Sequence, residues 1–562
     1  MKRFSWLIFL ILLNGLFFWA LNLPQDVGAD VPAGKLNSLS FAPFRMGQDP
    51  MLGLFPSTEE LDEDLALMGQ VTRNIRTYSS AEGNMALIPD LAKKHGLTLL
   101  QGAWLGAVKA DNDAEIAALI RSANEHPDVV KRVLVGNEVL LRQDLPVEAL
   151  IAYIRQVKSA VKQPVSYADV WSIYLKYPQL MKEVDFITIH ILPYWEDEPI
   201  SVAQAPAHVE RIVHQVQQLV SETAQGKPIL IGESGWPSAG KQRGRAVPSV
   251  VNEARFMREF IALANKNGLD YNIVEAFNQP WKAAFEGIIG ANWGLYDDER
   301  RPVFSLTGRV QENPTWLHAV LAQTGVFLLI VLGARKQLTD LRTRRTVHFF
   351  VVAQILSGLF VAQLRSLWQT SYTHWQQTQT VLIILFSVWL IFLIVQRMLI
   401  LLNEKVRSPK NSQYLYYSLL GVVAFALIKT LILTVDGRYI VFPTAVVQVM
   451  VAGVLALASV NVLFGKMTIS RSFQWQALLG YTLENKPLCT HITYTFIGVW
   501  VALLIGETVA FMVGRDLIIA YPQFGERLMT ASGFTLCNGQ LQCWGLSLLI
   551  LGLPFYFNKK AS

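Results

Sequence analysis

Lys227-Pro-Ile-Leu-Ile-Gly-Glu233-Ser-Gly-Trp-Pro-Ser238 is the stretch that decides how this chain folds. Its short β-branched run, bounded by Pro228 and Gly232, reads as a strand buried on both faces, as in parallel sheets. Ser, Gly and Pro turn the chain at once, so the strand delivers one carboxylate, Glu233, at its C-terminal end. Lys131-Arg-Val-Leu-Val-Gly-Asn137-Glu138-Val-Leu140 repeats the pattern: an apolar strand, a Gly, then an acid, here preceded by Asn137. The two acids are 95 residues apart (233 minus 138), a spacing that fits three βα repeats.

Outward from these two stretches, residues 36–306 alternate short strand-like runs with longer amphipathic ones. Strands are predicted at 36–43, 74–78, 97–103, 132–136, 164–168, 186–191, 228–232 and 271–277. Most are followed by a helical candidate, such as 146–162 and 251–267. The prediction is an α/β fold, a closed (β/α)8 TIM barrel of about 270 residues. In such a barrel the C-terminal strand ends form the floor of the active site, so Glu138 and Glu233, ending strands four and seven, are placed for chemistry. Two carboxylates facing each other across a barrel mouth are the minimal equipment for cleaving or transferring a glycosidic bond.

Gly-Glu-Ser-Gly-Trp-Pro-Ser around Glu233, with Val-Gly-Asn-Glu before it, closely resembles the two signatures of glycoside hydrolase family 17, the β-1,3-glucanases and β-glucan transglycosylases. The resemblance covers about residues 35–310 and is to a membrane-anchored bacterial type with a C-terminal multi-span region. It implies a retaining mechanism with Glu233 as nucleophile and Glu138 as acid/base, and no cofactor or metal. Asn137 is suited to hydrogen-bond the sugar 2-hydroxyl. The run Glu275-Ala-Phe-Asn278-Gln-Pro-Trp281-Lys282, then Glu286, also looks like family 17, in which an acid, a Trp-Lys pair and a further acid line the cleft. Glu275 and Lys282 are expected to pair and shape the electrostatics around Glu233. Asn278 stands where many relatives carry an acid, a departure that touches the local charge balance.

Sugars present apolar faces, so a carbohydrate cleft needs flat aromatic platforms. Candidates at strand ends are Tyr78, Trp104, Trp171, Tyr194, Trp195, Trp236, Trp281 and Trp293, some of them core filler. Tyr78, Tyr194 and Trp281 resemble family positions beside the nucleophile. His190 is expected to orient Tyr194 or a sugar hydroxyl, or to be a satisfied core histidine. Asp169 reads either as a hydroxyl ligand or as a surface residue. Asp297, Asp298 and Glu299 read as a solvated loop rather than a cation site. Asp62-Glu-Asp64 and Asp111-Asn-Asp113 fit the Asp-x-Asp pattern of sugar-nucleotide transferases, but both look like exposed helix starts and no Gln-x-x-Arg-Trp accompanies them.

The ends of the chain have another character. A composition of 52% hydrophobic and 16% charged residues is too apolar for one soluble protein of 562 residues. Lys2 and Arg3 precede an apolar run over 4–23 that reads as a retained anchor more than as a cleaved signal. Seven further apolar segments lie at 317–333, 347–364, 380–401, 414–434, 440–464, 491–513 and 541–557. Basic loops around Arg335 to Arg345, Lys405 to Lys410 and Lys466 to Lys486, and the end at Lys559 and Lys560, alternate with poor ones. That is the pattern for eight spans with both termini in the cytoplasm and the barrel on the far side, the periplasm of a Gram-negative inner membrane. Domains are therefore expected at 1–27 (anchor), 28–311 (barrel) and 312–562 (membrane helices). The net charge of +6 follows this topology and does not indicate nucleic acid. Cys489, Cys537 and Cys543 do not make a zinc set; Cys537 and Cys543 could pair in an oxidising compartment.

The function expected from these residues is a membrane-bound retaining β-glucan transglycosylase, with an endo-β-1,3-glucanase as the alternative outcome at the same site. Its partners are a β-glucan oligosaccharide or polysaccharide, the lipid bilayer and, for polymerisation from activated sugar, a glucan synthase. A reading of another class makes the membrane helices a glucan exporter or a synthase-docking module, with Lys429 and Glu507 as its intramembrane ionisable residues.

Overall fold

A computed structural model describes residues 2–404, 409–435, 437–481 and 486–559. The chain divides into two compact units, Pro24–Glu312 with Gly514–Phe524, and Met1–Leu23 with Asn313–Val513 and Gly525–Ser562.

The first unit is built on eight strands, β1 (Leu36–Ser40), β2 (Thr72–Arg76), β3 (Thr98–Ala103), β4 (Val130–Asn137), β5 (Val165–Val170), β6 (Ile187–His190), β7 (Ile229–Ser234) and β8 (Asp270–Ile273). Neighbours pair in parallel in chain order, and β8 closes the ring on β1 through Leu39 and Ile273. The predicted last strand ran on to residue 277. Regular pairing stops at Ile273, beyond which the chain divides its hydrogen bonds between the barrel and a following loop: Val274 N–H donates to Ser234 O and Ala276 N–H to Ser40 O, while Glu275 N–H donates to Trp293 O and Leu295 N–H donates back to Glu275 O.

Strand periodicity sorts the side chains. Ile75, Val133, Val135, Ile189, Ile231 and Ile273 belong to the large core between strands and helices. Leu100, Leu134, Ala168, Phe186 and Leu230, on the other phase, form a separate apolar cluster that plugs the barrel interior. Each fully buried aliphatic chain of this kind contributes roughly 1.5–3 kcal/mol. On the same inward phase, polar and small residues take over toward the C-terminal strand ends: Ser40, Arg76, Gly102, His190, Gly232 and Asn272. Gly232 has to be glycine, because a Cβ there would lie 2.5 Å from Thr188 Cγ2 and 3.2 Å from the His190 ring.

The helices Val147–Ala160 and Val250–Asn267 fall where the pattern predicts them. Ser249 caps the second by accepting from Asn252 N–H, Gly268 ends it at φ 62°, and Ala254, Met257, Ile261 and Ala264 bury one stripe against the core. The same helix buries Glu253 completely. Burial, with the Glu312 charge beside it, pushes that carboxyl well above its ordinary value, against a smaller pull from Ser238. A folded-state value raised above the unfolded one favours the fold while the group is protonated, and that contribution is lost as pH rises. Glu253→Gln is therefore expected to raise the unfolding temperature at pH 8 by several degrees, on a scale of roughly 2–4 °C per kcal/mol. The gap to wild type should shrink toward pH 4.5; equal unfolding temperatures at pH 8 would show the carboxyl to be harmless.

Among the described residues the second unit contains eight helices long and apolar enough to cross a membrane: Arg3–Leu21, Trp316–Gly333, Thr343–Gln369, His374–Asn403, Lys410–Val435, Thr444–Leu463, Pro487–Met512 and Gly539–Asn558. The segment predicted at 440–464 starts late, at Thr444, because Pro443 stands at its N-terminus. Arg397, inside one of these helices, is buried and spends its guanidinium on the carbonyls of Ala477 and Leu478. Lys429 reaches over the Phe425 ring at 6.0 Å, and Glu507 is buried. Among the described residues no disulfide joins Cys537, at the end of one helix, to Cys543, inside the next. Lys405, Arg407 and Lys560, and the side chains of Lys2, Lys486 and Lys559, lie outside the described residues.

Candidate active site

β4 and β7 bring the two acids together. One carboxylate oxygen of Glu138, one of Glu233 and a ring nitrogen of His190 lie within 4.8 Å of one another. Gly136 (φ 89°) and Glu138 (φ 53°) carry the chain off β4, the second in a left-handed conformation that costs an L-residue on the order of 1 kcal/mol. That turn aims the Glu138 side chain back over the barrel.

Arg76, at the end of β2 and 1% exposed, organises the centre. Its Nη1 donates to Gly232 O (2.7 Å) and Glu233 Oε1 (3.0 Å), and its Nη2 donates to Asn137 Oδ1 (2.5 Å). Nη1 also lies 3.3 Å from His190 Nε2. A guanidinium has no lone pair to offer, so His190 Nε2 is the acceptor and its proton sits on Nδ1, 2.9 Å from Glu138 Oε1 and 3.7 Å from Glu233 Oε2. Tyr78 Oη lies 2.8 Å from both Glu233 Oε1 and Ser40 Oγ. With one proton to give, it donates to the carboxylate and accepts from the serine, which in turn accepts from Asn272 Nδ2.

These contacts set the charge state of Glu233. Burial raises its carboxyl, but His190, Arg76 and the Tyr78 hydroxyl outweigh burial and hold it below the usual range. Across the pocket, Glu275 is fully buried with Lys282 Nζ 3.0 and 2.9 Å from its oxygens. Burial first, then repulsion from Glu233 and Glu286, leaves Glu275 pushed up to about 7 despite Lys282. Glu286 is raised as well, by burial and by Glu138 and Glu233. The predicted Glu275–Lys282 ion pair is present, and Glu275, placed in the substrate-binding set by the sequence, is 0% exposed and spends its oxygens on Lys282. Asn278 settles its own turn, its Oδ1 accepting from Gly294 N–H at 2.9 Å.

The aromatic predictions divide. Tyr78 reaches Glu233, and half-buried Trp281 is fixed by Gln279 Oε1 (2.8 Å) against Phe44. Tyr194 and Trp236, predicted to touch a sugar, are both 0% exposed. The Tyr194 hydroxyl donates to Lys241 O and the Trp236 ring nitrogen to Val247 O, while their rings pack on each other and on Trp293 and Phe256. They are core because the loops after β6 and β7 need large apolar side chains to fill the space above the helix Val250–Asn267. His190 does not orient Tyr194; it joins Arg76 to Glu138. Asp169 is not a surface residue but fully buried, and Asp64 is not exposed but buried against Arg300 and Arg45. Asp297 accepts from Glu299 N–H and Arg301 N–H within its own loop.

Arg76 is the functional residue that the sequence reading missed. Its signal was period two: in Arg76-Thr-Tyr78 the two polar residues share the inward phase of β2. Glu138, His190 and Glu233 are also the described residues that come nearest to a metal-ligand set. In this structure the Arg76 guanidinium supplies the positive charge there, and His190 presents a proton to Glu138 instead of a lone pair.

Residues 38–294 match the sequence profile of the BtgE/BtgC glycoside hydrolase domain. A glucan 1,3-β-glucosidase of Arthroderma benhamiae is 26% identical over 308 residues, covering 52% of this chain and 97% of the relative. Another of that name, from Schizosaccharomyces pombe, is 29% identical over 269 residues, covering 45% and 81%. The crystal structure of a family 17 β-1,3-glucanosyltransferase from Rhizomucor miehei is 27% identical, covers 48% of this chain and 95% of its own, and aligns with a TM-score of 0.42. Over residues 38–294 the barrel with its paired acids is thus similar to a BtgE/BtgC glycoside hydrolase domain, and the protein is a glycosidase acting on O-glycosyl bonds.

Proposed function

We propose that the protein is a membrane-bound retaining β-glucan transglycosylase that works on β-1,3-glucan or a related β-glucan outside the cytoplasm. The observation that carries the mechanism is the approach of Glu138 and Glu233 oxygens to within 4.8 Å. Retaining glycosidases hold their carboxyl groups about 5–5.5 Å apart, whereas inverting ones leave about 6.5–9.5 Å for a water. Glu233, kept ionised, attacks the anomeric carbon while Glu138 protonates the leaving oxygen. The sugar is then an ester on Glu233, and Glu138 takes the proton of the incoming hydroxyl. Asn137 commits its Oδ1 to Arg76, so its amide N–H groups face the sugar 2-hydroxyl. Tyr78, Trp281, Lys282 and Glu286 bound the subsite around the nucleophile.

The names of the relatives, glucan 1,3-β-glucosidases, support β-1,3-glucan as substrate class. Transfer is favoured over hydrolysis because an enzyme tethered by an N-terminal anchor (1–27) and a membrane domain (312–562), with its barrel (28–311) outside, suits remodelling of an exported glucan. The topology gains support within the helical unit, where Arg3 Nη1 donates to Leu338 O at 2.8 Å and so joins the basic N-terminus to the basic loop beyond Gly333. Full-length protein in detergent, given laminari-oligosaccharides, should form products longer than the donor. Exclusively shorter products would make it an endo-β-1,3-glucanase.

Trp104, after β3, is 37% exposed and carries the Arg142 guanidinium 4.4 Å from its ring centre. Arg142 is itself fixed by Asn137 O (2.7 Å), Leu105 O (3.0 Å) and Asp144 (2.7 Å), so its guanidinium is held over the indole. Stacking of this kind is worth about 0.5–1.5 kcal/mol. Trp104→Ala is expected to raise KM for longer oligosaccharides several-fold with turnover at saturation nearly unchanged, as steady-state kinetics on a length series would show.

A further inference from the structure

Two side chains one turn apart on the helix Lys109–Glu125 reach the loops that follow β2 and β3, and neither has a part in the mechanism. Asp111 and Asp113 at the start of this helix are exposed, but Asn112 between them is buried, and so is Glu115. The Glu115 carboxylate accepts from both loops. After β2, the Ser79 hydroxyl (2.5 Å) and Ala81 N–H (3.0 Å) donate to Oε1, and Ser80 N–H (2.9 Å) donates to Oε2. After β3, Trp104 N–H donates to Oε2 at 3.2 Å. Asn112 holds the same loop two residues on, its Oδ1 accepting from Gly106 N–H and its Nδ2 donating to Gly106 O, each at 2.8 Å.

The two loops also meet directly. A Cβ at Gly102 would lie 2.6 Å from Thr77 O and 3.2 Å from Tyr78 Cα, and Ser80 Oγ donates to Gly102 O at 2.7 Å, so the backbone of Tyr78 rests on the end of β3. Each loop carries one residue turned toward substrate: Tyr78, whose hydroxyl donates to Glu233, and Trp104, open on one side with the Arg142 guanidinium over its ring. A carboxylate offers about four lone-pair positions and no donor. Four donors fill them here. An amide of the same shape would turn its own N–H groups against half of these donors, and a hydroxyl would reach too few of them. The acid at 115 is therefore matched to holding both loops at once.

We propose that Glu115, with Asn112 as a second strut, is a positioning residue for substrate: it sets Tyr78 against the nucleophile and Trp104 against the sugar chain, so that one helix fixes the spacing between them. Glu115 touches no substrate and moves no proton; it acts through the two loops. The inference rests on the reading of Tyr78 as a residue of the nucleophile's subsite and of Trp104 as a sugar platform.

The test is the rate of donor consumption by the full-length protein on a length series of laminari-oligosaccharides, in two double-mutant cycles. Glu115→Gln is expected to lower kcat roughly tenfold at every length, the scale of loosening one hydrogen bond to a charged group, and to raise KM several-fold for the longer oligosaccharides alone. Added to Tyr78→Phe it should lower kcat no further, and added to Trp104→Ala it should raise KM no further, because the group it positions is already gone. A residue that merely supports the fold lowers the unfolding temperature and multiplies with both. A full repeat of the single-variant effect in either background overturns the proposal, as do wild-type kinetics in Glu115→Gln alone. If Glu115→Gln loses the wild-type circular-dichroism spectrum, Ser79→Ala in the Tyr78 cycle and Asn112→Ala in the Trp104 cycle take its place under the same criterion. Tyr78→Phe and Trp104→Ala by themselves separate the two claims. Wild-type kinetics in both would mean that the subsite reading fails first; effects in both that simply multiply with Glu115→Gln would sink only the present inference.

Discussion

Glu233→Gln in the full-length protein is expected to fold normally and to lose turnover on laminari-oligosaccharides by about 10,000-fold or more, the scale on which hydrolases lose activity with their covalent nucleophile. The amide is nearly isosteric, and its oxygen still accepts from Tyr78 and Arg76. It cannot trap the sugar as an ester, because the arrangement that holds Glu233 ionised has nothing left to hold. A companion variant, Glu233→Ala, opens space beside the anomeric carbon. Added azide should then restore product formation with inverted anomeric configuration, since an external anion attacks from the face the carboxylate occupied. Retention of more than a tenth of wild-type turnover by Glu233→Gln would remove the acid from its assigned role.

Arg76→Met should be nearly as damaging, with turnover lower by roughly 100- to 1,000-fold, the loss typical of removing one preorganised charged donor from a catalytic centre. Four partners lose their donor at once: Glu233, Asn137, the Gly232 carbonyl and His190 Nε2. The sign of the pH effect follows from the charge. Arg76 is among the groups that pull Glu233 below its ordinary range, so without it the carboxyl rises and the acidic limb of the rate profile moves to higher pH. Arg76→Lys keeps the charge but not the two-pronged donor geometry. It should return the acidic limb toward its wild-type position while turnover stays low. If both variants leave that limb unmoved, the guanidinium does not set the ionisation of Glu233.

Much of this arrangement was legible in the residues themselves. The eight strands could be read because each is a short apolar run closed by Gly, Pro or a polar turn, and the two acids because each ends such a run. What escaped was whatever depends on which way a side chain points once the ring has closed. Arg76 sits in Arg73-Asn-Ile-Arg76, where two arginines of the same strand look alike, yet Arg73 is exposed and Arg76 is 1% exposed. Asp169 stands near the C-terminal end of its strand, as Glu233 does, but its side chain is fully buried and accepts from the Tyr167 hydroxyl. Tyr194 and Trp236 have the residue types of a sugar platform and the positions of core filler. Trp104 has the same residue type and lies open. Composition does not distinguish these fates; they are decided by whether a loop folds outward over the cleft or inward over a helix.

Because a single guanidinium from β2 reaches partners on β4, β6 and β7, ring closure and site assembly are one event. No contiguous half of the barrel contains a working centre, so a fragment ending before β7 or a dimer of half-rings would be inert however well it folded. By the same token a circular permutant cut in an outer loop, which leaves every strand beside its neighbour, should regain activity in step with its last strand pairing.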